Sequence, residues 1–385
     1  RLRKVYRYMQ KNMYFDYLGG DCFAAVTEGD RLVEFHIDPA SAFDISGNIY
    51  KGRVVNVLEG MQAAFVAFGQ AKNGYLAAGD IPVADGTGEI SANLNVKVGD
   101  EVMVQVLKSP IGTKGARLTM NLSFVGKHLI YLPNTPFLGV SRKISDEEER
   151  ARMLALAEKL RADGDGLIMR TNAPLADAKT LRTEAKYLQG MYQAAREAYA
   201  NAGVGDPVHH DADVHVRLLR DFDLTELNKV YIGSETVYRR VESILKRAGR
   251  KNLAVLYDGP REMFDYFGLE KQINEILSPR VELSNGAYLV FGKTEALTVI
   301  DVNTGKFIGN TDSLEDTVFE TNLLAAKEVA RQARLRNMGG IVVVDFIDME
   351  SEEHRAAVVE ALRDALKSDR AKCNVSETSG LGLVQ

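Results

Sequence analysis

Two aspartates stand at the ends of two apolar runs, Ala296-Leu297-Thr298-Val299-Ile300-Asp301 and Gly340-Ile341-Val342-Val343-Val344-Asp345. Between them lies a stretch with apolar residues at helical spacing, so the pattern reads strand, helix, strand. Such a unit makes its two strands parallel. Their C-terminal ends then share one edge of the sheet, where ligands bind in open α/β layers. Two carboxylates meeting there suit a hard divalent cation such as Mg2+, which takes oxygen ligands and keeps waters for a phosphate. Asn303 lies two residues past Asp301 and shares its face of an extended strand. The competing structural reading is that each Asp merely caps a strand at a loop entry.

The elements that must position these acids are legible. Ser313 followed by Asp316 is a capping-box-like helix start. Leu314, Val318, Ala325, Val329 and Ala333 then recur at helical spacing, and Gly339-Gly340 supplies a stop. Downstream, Asp348 has two readings, a supporting acid beside Asp345 or the cap of a helix over 351–366. The run Arg331, Arg334, Arg336 also has two, a solvated helix end favoured by the macrodipole or a face toward a substrate's phosphates.

The chain of 385 residues is long enough for two to four domains. Its net charge of −5 announces no global attraction to nucleic acid, although a local basic groove and a metal ion can supply the contacts. The only cysteines, Cys22 and Cys373, have neither zinc nor disulfide spacing, so a reduced, cytoplasmic compartment is expected. The basic start, Arg1-Leu2-Arg3-Lys4-Val5-Tyr6-Arg7, lacks the apolar core of a secretory signal. No apolar stretch is long enough to span a bilayer. A chain that begins without Met and stops at Leu383-Val384-Gln385 is expected to be a fragment.

Alternation over 23–37 around Glu28-Gly29-Asp30 predicts a hairpin. Five short strands, over 49–57, 63–68, 74–77, 101–107 and 116–120, predict a small closed barrel of the OB type. Helices are expected over 145–161, from Pro174 to about Ala200, mostly over 224–247, and over 262–277. Strands are expected over 166–170, 213–219 and 253–257. Ser284-Asn285-Gly286 marks a hairpin over 281–291.

Within the barrel, Phe65 and Tyr75 fall on adjacent short strands, where exposed aromatics can stack single-stranded bases and core aromatics can equally fill the interior. Lys114, in Ile111-Gly112-Thr113-Lys114-Gly115, is within reach of a phosphate. His209-His210-Asp211-Ala212-Asp213-Val214-His215 is rich in metal-ligating types. However, no Cys and no i, i+4 His pair accompany it, which disfavours a metal site.

Several motifs together resemble the ribonuclease E/G family. They are Asn48-Ile49-Tyr50-Lys51-Gly52-Arg53-Val54, Met61-Gln62-Ala63-Ala64-Phe65-Val66, Asp301-Val302-Asn303-Thr304-Gly305, and the long run from Arg331 to Met349. The Asn-Thr-Gly version of the metal motif resembles the G branch more closely. The resemblance covers roughly Asp30 to the C-terminus.

It implies an α+β multidomain endoribonuclease specific for single-stranded RNA, acting in rRNA processing and mRNA decay. The implied framework is RNase H-like (1–43 and 213–279, with 1–17 unassigned). It is interrupted by an S1-type OB barrel (44–125) and a 5′-sensor (126–212), and followed by a DNase I-like catalytic domain (280–385). The resemblance makes Asp301 and Asp345 the Mg2+ ligands with Asn303 assisting, and Phe65, Tyr75 and Lys114 the RNA contacts, joined by Lys372. It assigns a 5′-monophosphate pocket to Arg170 and Thr171, with Arg142 contributing. Arginine binds phosphate in bidentate fashion and the neighbouring hydroxyl is at short range; the structural alternative is a strand-end Arg in a surface ion pair. The family's Cys-Pro-x-Cys zinc link, and the homodimer it joins, belong downstream of Leu381-Gly382-Leu383-Val384. Two other classes remain open, a non-catalytic S1-type RNA-binding or ribosome-associated protein, and a metal-dependent phosphodiesterase acting on DNA or small molecules.

Overall fold

The computed structural model describes residues 10–39, 44–82, 95–110, 114–305, 313–369, 371, 373–379 and 382–385. The chain divides into two compact units, one of residues 1–37 and 223–385, the other of 38–222. The fold is mixed α+β.

The 38–222 unit contains the expected barrel. Strands Ile49–Leu58, Ala63–Ala67, Gly74–Ala77, Arg117–Thr119 and Glu101–Lys108 pair in that order, and the last closes back on the first. Its interior is small and branched, with Val54, Ala64, Val66, Leu76, Val102, Val104, Val106 and Leu118 all buried. The strands approach closely at Gly74, where a Cβ would lie 2.3 Å from the Leu118 Cδ1. The unit also holds a four-stranded sheet of Leu138–Val140, Gly166–Met169, Leu129–Leu132 and Phe124–Val125, backed by helices Glu147–Leu160 and Ala178–Asn201. Both helices begin at an aspartate, Asp146 or Asp177, whose side chain accepts a backbone N–H three residues on, as an N-cap should.

The other unit holds two five-stranded sheets. The first orders its strands as Ala254–Leu256, Leu227–Ile232, Lys11–Leu18, Asp21–Glu28 and Arg31–Asp38. The Asp21–Glu28 and Arg31–Asp38 strands are the expected hairpin. The Lys11–Leu18 strand, in the stretch the sequence left unassigned, is central, antiparallel to one neighbour and parallel to the other. The second sheet orders Arg280–Glu282, Tyr288–Lys293, Leu297–Asn303, Ile341–Asp345 and Leu383–Val384. Helices Leu314–Leu335 and Glu352–Leu366 cover one of its faces.

Several expectations need correction. Residues 213–219 are not a strand but the start of helix Val214–Asp221, which buries Val214, His215, Leu218 and Leu219. That is a helical period, disguised by the β-branched Val214 and Val216. Residues 224–247 begin with a buried strand, Leu227–Ile232, and only Glu235–Arg247 is helical, because Gly233-Ser234 separates the two. The 262–277 helix is broken at Gly268, whose φ of +66° lies in the left-handed region. The helix after Ser313 stops at Leu335. Asn337, at φ +46°, makes the turn before the glycines are reached.

Candidate metal centre and RNA-binding surfaces

Strands Leu297–Asn303 and Ile341–Asp345 are parallel, and Asp301 and Asp345 are direct register partners. Their Cα atoms therefore stand about 4.8 Å apart, with both side chains on the same face. Along the first strand Thr298, Ile300 and Val302 are buried while Val299 and Asp301 are exposed; Asp345 is exposed as well. The buried set packs with Ala325, Val329 and Val358 of the two helices. Each such fully buried Ile or Val contributes about 1.5–3 kcal/mol, which pins the strands that carry the acids. Asn303 shares the acids' face, and its Nδ2 donates to the Asp301 Oδ2 at 2.9 Å. Among the described residues neither acid forms an ion pair, and no group of three or more His, Cys, Asp or Glu gathers to hold a metal.

The loops leaving the acids are tied down by side chains that carry no signal in the sequence. Asn322 is fully buried in the Leu314–Leu335 helix. Its amide donates to the Ile347 carbonyl (2.8 Å) and accepts from the Ile347 N–H (3.1 Å). Glu315 accepts from the Glu350 and Ser351 N–H groups (3.1 Å each) and meets the His354 Nδ1 at 3.0 Å. Those two backbone bonds, with His354 adding to them, hold its carboxyl below the usual glutamate range. The cap of the Glu352–Leu366 helix is Ser351, not Asp348. Asp348 instead lines a cavity of about 400 Å3 with Phe346, Glu352, Arg355, Thr378 and Ser379. The acid pair lies outside that cavity, on the exposed face of the sheet.

The three arginines of the basic run are tied into the unit, and Arg334 lies in the last turn of its helix. Arg331 clasps the buried Glu328 and donates to the Leu32 carbonyl. Arg334 bonds the Ser368 hydroxyl. Arg336 donates to the Ser278 carbonyl and lies 4.2 Å over the Phe291 ring. All three act as staples within the unit.

On the barrel, Phe65 and Tyr75 are register partners on its outer surface. Both are half-buried, with ring centroids 6.0 Å apart in an edge-to-face pair. The pairings extend this into one lateral row across the strands, Asn56, Phe65, Tyr75, Arg117, Lys108. Arg117 is bonded to Asp80 at 3.0 Å. Lys114 is exposed near the start of the Arg117–Thr119 strand. The loop residues 111–113 lie outside the described residues, as does Lys372.

Arg170, Thr171 and Arg142 are brought together by a strand that the sequence did not suggest. Leu138–Val140 runs parallel to Gly166–Met169, so Ser141-Arg142 and Arg170-Thr171 leave adjacent strand ends. The Ser141 and Thr171 hydroxyls are 2.9 Å apart, and Arg142 is exposed. Arg170 donates to the Gly126 carbonyl (2.5 Å) and to the Asp221 Oδ1 (2.7 Å). Burial alone would raise the Asp221 carboxyl, but bonds and charge from Arg220 and Arg170 hold it below the ordinary range. The partner of this arginine, Asp221, lies on the helix mistaken for a strand. In the histidine-rich stretch, His215 is buried and 3.8 Å from the Asp213 Oδ2.

A model of the Ribonuclease E/G family matches residues 123–385, and the chain belongs to that family. Among curated proteins it is similar to Ribonuclease G of Haemophilus influenzae, at 39% identity over 94% of this chain and 76% of that protein. It is 38% identical to Ribonuclease G of Escherichia coli K12 over the same shares. It is 36% identical to Ribonuclease E of a Nostoc species over 94% of this chain and 53% of that one. Among the described residues, no helix is long and apolar enough to cross a membrane.

Proposed function

We propose that this chain cuts single-stranded RNA on the open face of its last sheet, with Asp301 and Asp345 as the central acids. As a member of the ribonuclease E/G family it is an endoribonuclease of RNA processing and decay, a hydrolase of RNA phosphodiester bonds. The observation that carries the site reading is the register match of the two acids on one exposed face.

The donor set fits Mg2+. It offers hard oxygens only, two carboxylates and an amide, and leaves room for waters and a phosphate. Asp301 and Asp345 would hold the ion; bound there, it supplies charge to a phosphate oxygen and a water of lowered pKa. Asn303 fixes one Asp301 oxygen through its N–H, and its own amide oxygen is a further hard acceptor. Water adds to phosphorus as the bond to the upstream O3′ breaks, leaving a 5′-phosphate and a 3′-hydroxyl. The barrel row around Phe65 and Tyr75 holds unpaired bases, with Lys114 on the backbone. Arg170, Thr171 and Arg142 hold a 5′-monophosphate end.

The strand order of the first sheet supports an RNase H-like framework, and the two-helix-backed last sheet supports a DNase I-like catalytic domain. Cytoplasmic residence and a homodimer complete the reading.

The test uses a 5′-labelled single-stranded RNA with Mg2+ or with EDTA. Cleavage should require Mg2+ and vanish in Asp301→Asn and in Asp345→Asn, with RNA affinity in EDTA unchanged. Near-normal turnover by either variant refutes the acid pair; retention of RNA with no product under any condition would favour a binding module.

A further inference from the structure

The exposed face that carries the acids continues across two more strands. Register partners run in one row from Arg280 to Val290 to Asp301 to Asp345. A second row runs from Glu282 to Tyr288 to Asn303. Tyr288 is therefore the lateral neighbour of the amide that bonds Asp301. The Arg280 guanidinium lies over the Tyr288 ring, 3.6 Å from its centroid, and Arg280 Nε donates to the Glu282 Oε1 at 2.7 Å. The Arg280 side chain keeps 53% of its surface exposed. The turn after Asn303 also comes close to the ring. A Cβ on Gly305, at φ +61°, would meet the Gly286 carbonyl oxygen at 2.5 Å and the Tyr288 Cδ1 at 3.4 Å. The ring thus has backbone close to its edge and a planar cation over its face, held in orientation by a carboxylate.

A purely structural role explains this poorly. The apolar support of the sheet lies on the opposite face, where Val281, Leu289, Ile300, Val302 and Val344 are buried. A flat cation stacked on an aromatic ring is what an unpaired base accepts as a partner, and the positive charge matches the RNA backbone. Two strand spacings separate Arg280 from Asp301, on the order of 10 Å between Cα atoms. A nucleotide flanking the cut bond spans that distance.

We infer that the Arg280–Tyr288 pair is a substrate-positioning platform, on which one unpaired base beside the scissile phosphodiester stacks while that phosphate rests at the acid pair. This rests on the acid-pair reading for its location, though not for its binding role. The platform fixes which bond of an extended strand is presented.

The experiment moves a single abasic nucleotide through the positions flanking a mapped cleavage site in a short single-stranded RNA. One such position should cost the unaltered chain about tenfold in kcat/KM. Arg280→Ala should lose a similar factor on intact RNA and then be indifferent to the abasic residue at that position. Equilibrium binding in EDTA reads the platform without any metal, and Arg280→Ala should bind intact RNA several-fold more weakly there. Losses that simply multiply, or an Arg280→Ala chain that binds and cuts like the unaltered one, overturn the platform. Normal cleavage by Asp345→Asn alongside weakened binding by Arg280→Ala would sink the acid pair and leave the platform standing. Equal unfolding midpoints for Arg280→Ala and the unaltered chain exclude a folding defect as the cause.

Discussion

The side-chain amide of Asn322 grips the backbone of Ile347 in both directions, accepting its N–H and donating to its carbonyl. Ile347 lies just beyond Asp345, so a buried helix residue sets the exit path of an acid-bearing strand. Asn322→Leu would strand a backbone donor and an acceptor in an apolar setting, at about 2–3 kcal/mol. Denaturant unfolding should show that loss, and cleavage measured well below the unfolding transition should fall as well. An Asn322→Leu chain with unchanged stability and rate would contradict the role.

The barrel aromatics should act on binding rather than on chemistry. Phe65→Ala or Tyr75→Ala should weaken single-stranded RNA binding by about 1–3 kcal/mol, equally with Mg2+ or EDTA. Both rings are half-buried on the outer surface, so the unfolding midpoint should move little. Tyr75→Phe should bind normally, since the ring and not the hydroxyl does the stacking.

Arg170 is held by Asp221 and by the Gly126 carbonyl, which aims its guanidinium rather than leaving it free to swing. Arg170→Ala should erase the preference for 5′-monophosphorylated over 5′-hydroxyl RNA. Asp221→Asn should reduce it, because an amide grips a guanidinium less strongly than a carboxylate. Competition cleavage of the two RNAs reads the ratio directly. An equal loss on both ends would identify damage to the fold instead.

Glu184 predicts a pH dependence of stability. Burial would raise its carboxyl, but the His128 side chain and the N–H groups of His128 and Leu129 outweigh it and hold it low. A depressed carboxyl stabilises fully above the unfolded-state value of about 4.3 and loses that contribution as pH falls through the folded-state value. Thermal unfolding of Glu184→Gln should therefore lie below the unaltered chain at pH 7, with the gap closing in acid. A constant gap would show that charge is not the cause.

The barrel was legible because its strands are short, Gly-punctuated and buried at alternate positions; Gly74–Ala77 coincides with its expected range. The acid strands were legible for the same reason, apolar runs ending in Asp on either side of a capped helix. The Val214–Asp221 helix was missed because a few residues with β-branched side chains carry two periods at once. Leu138–Val140 was missed because it is too short to show any period. The staples made by Arg331, Arg334 and Arg336 were invisible, since a helix-end arginine looks the same whether it faces water or a distant carbonyl.

Local periodicity and chain punctuation by themselves determined where most of the longer segments extend or coil, though not 138–140 or 214–221, and where acids, rings and basic residues stand along them. Those are short-range properties, written in the spacing of apolar side chains. Only the tertiary structure decided that Asp301 faces Asp345 with no offset, that Tyr288 lies beside Asn303, and that Arg170 meets Asp221. Register across strands and contacts between distant elements follow from how whole apolar faces pack. A slip of one residue would have turned either acid into the core.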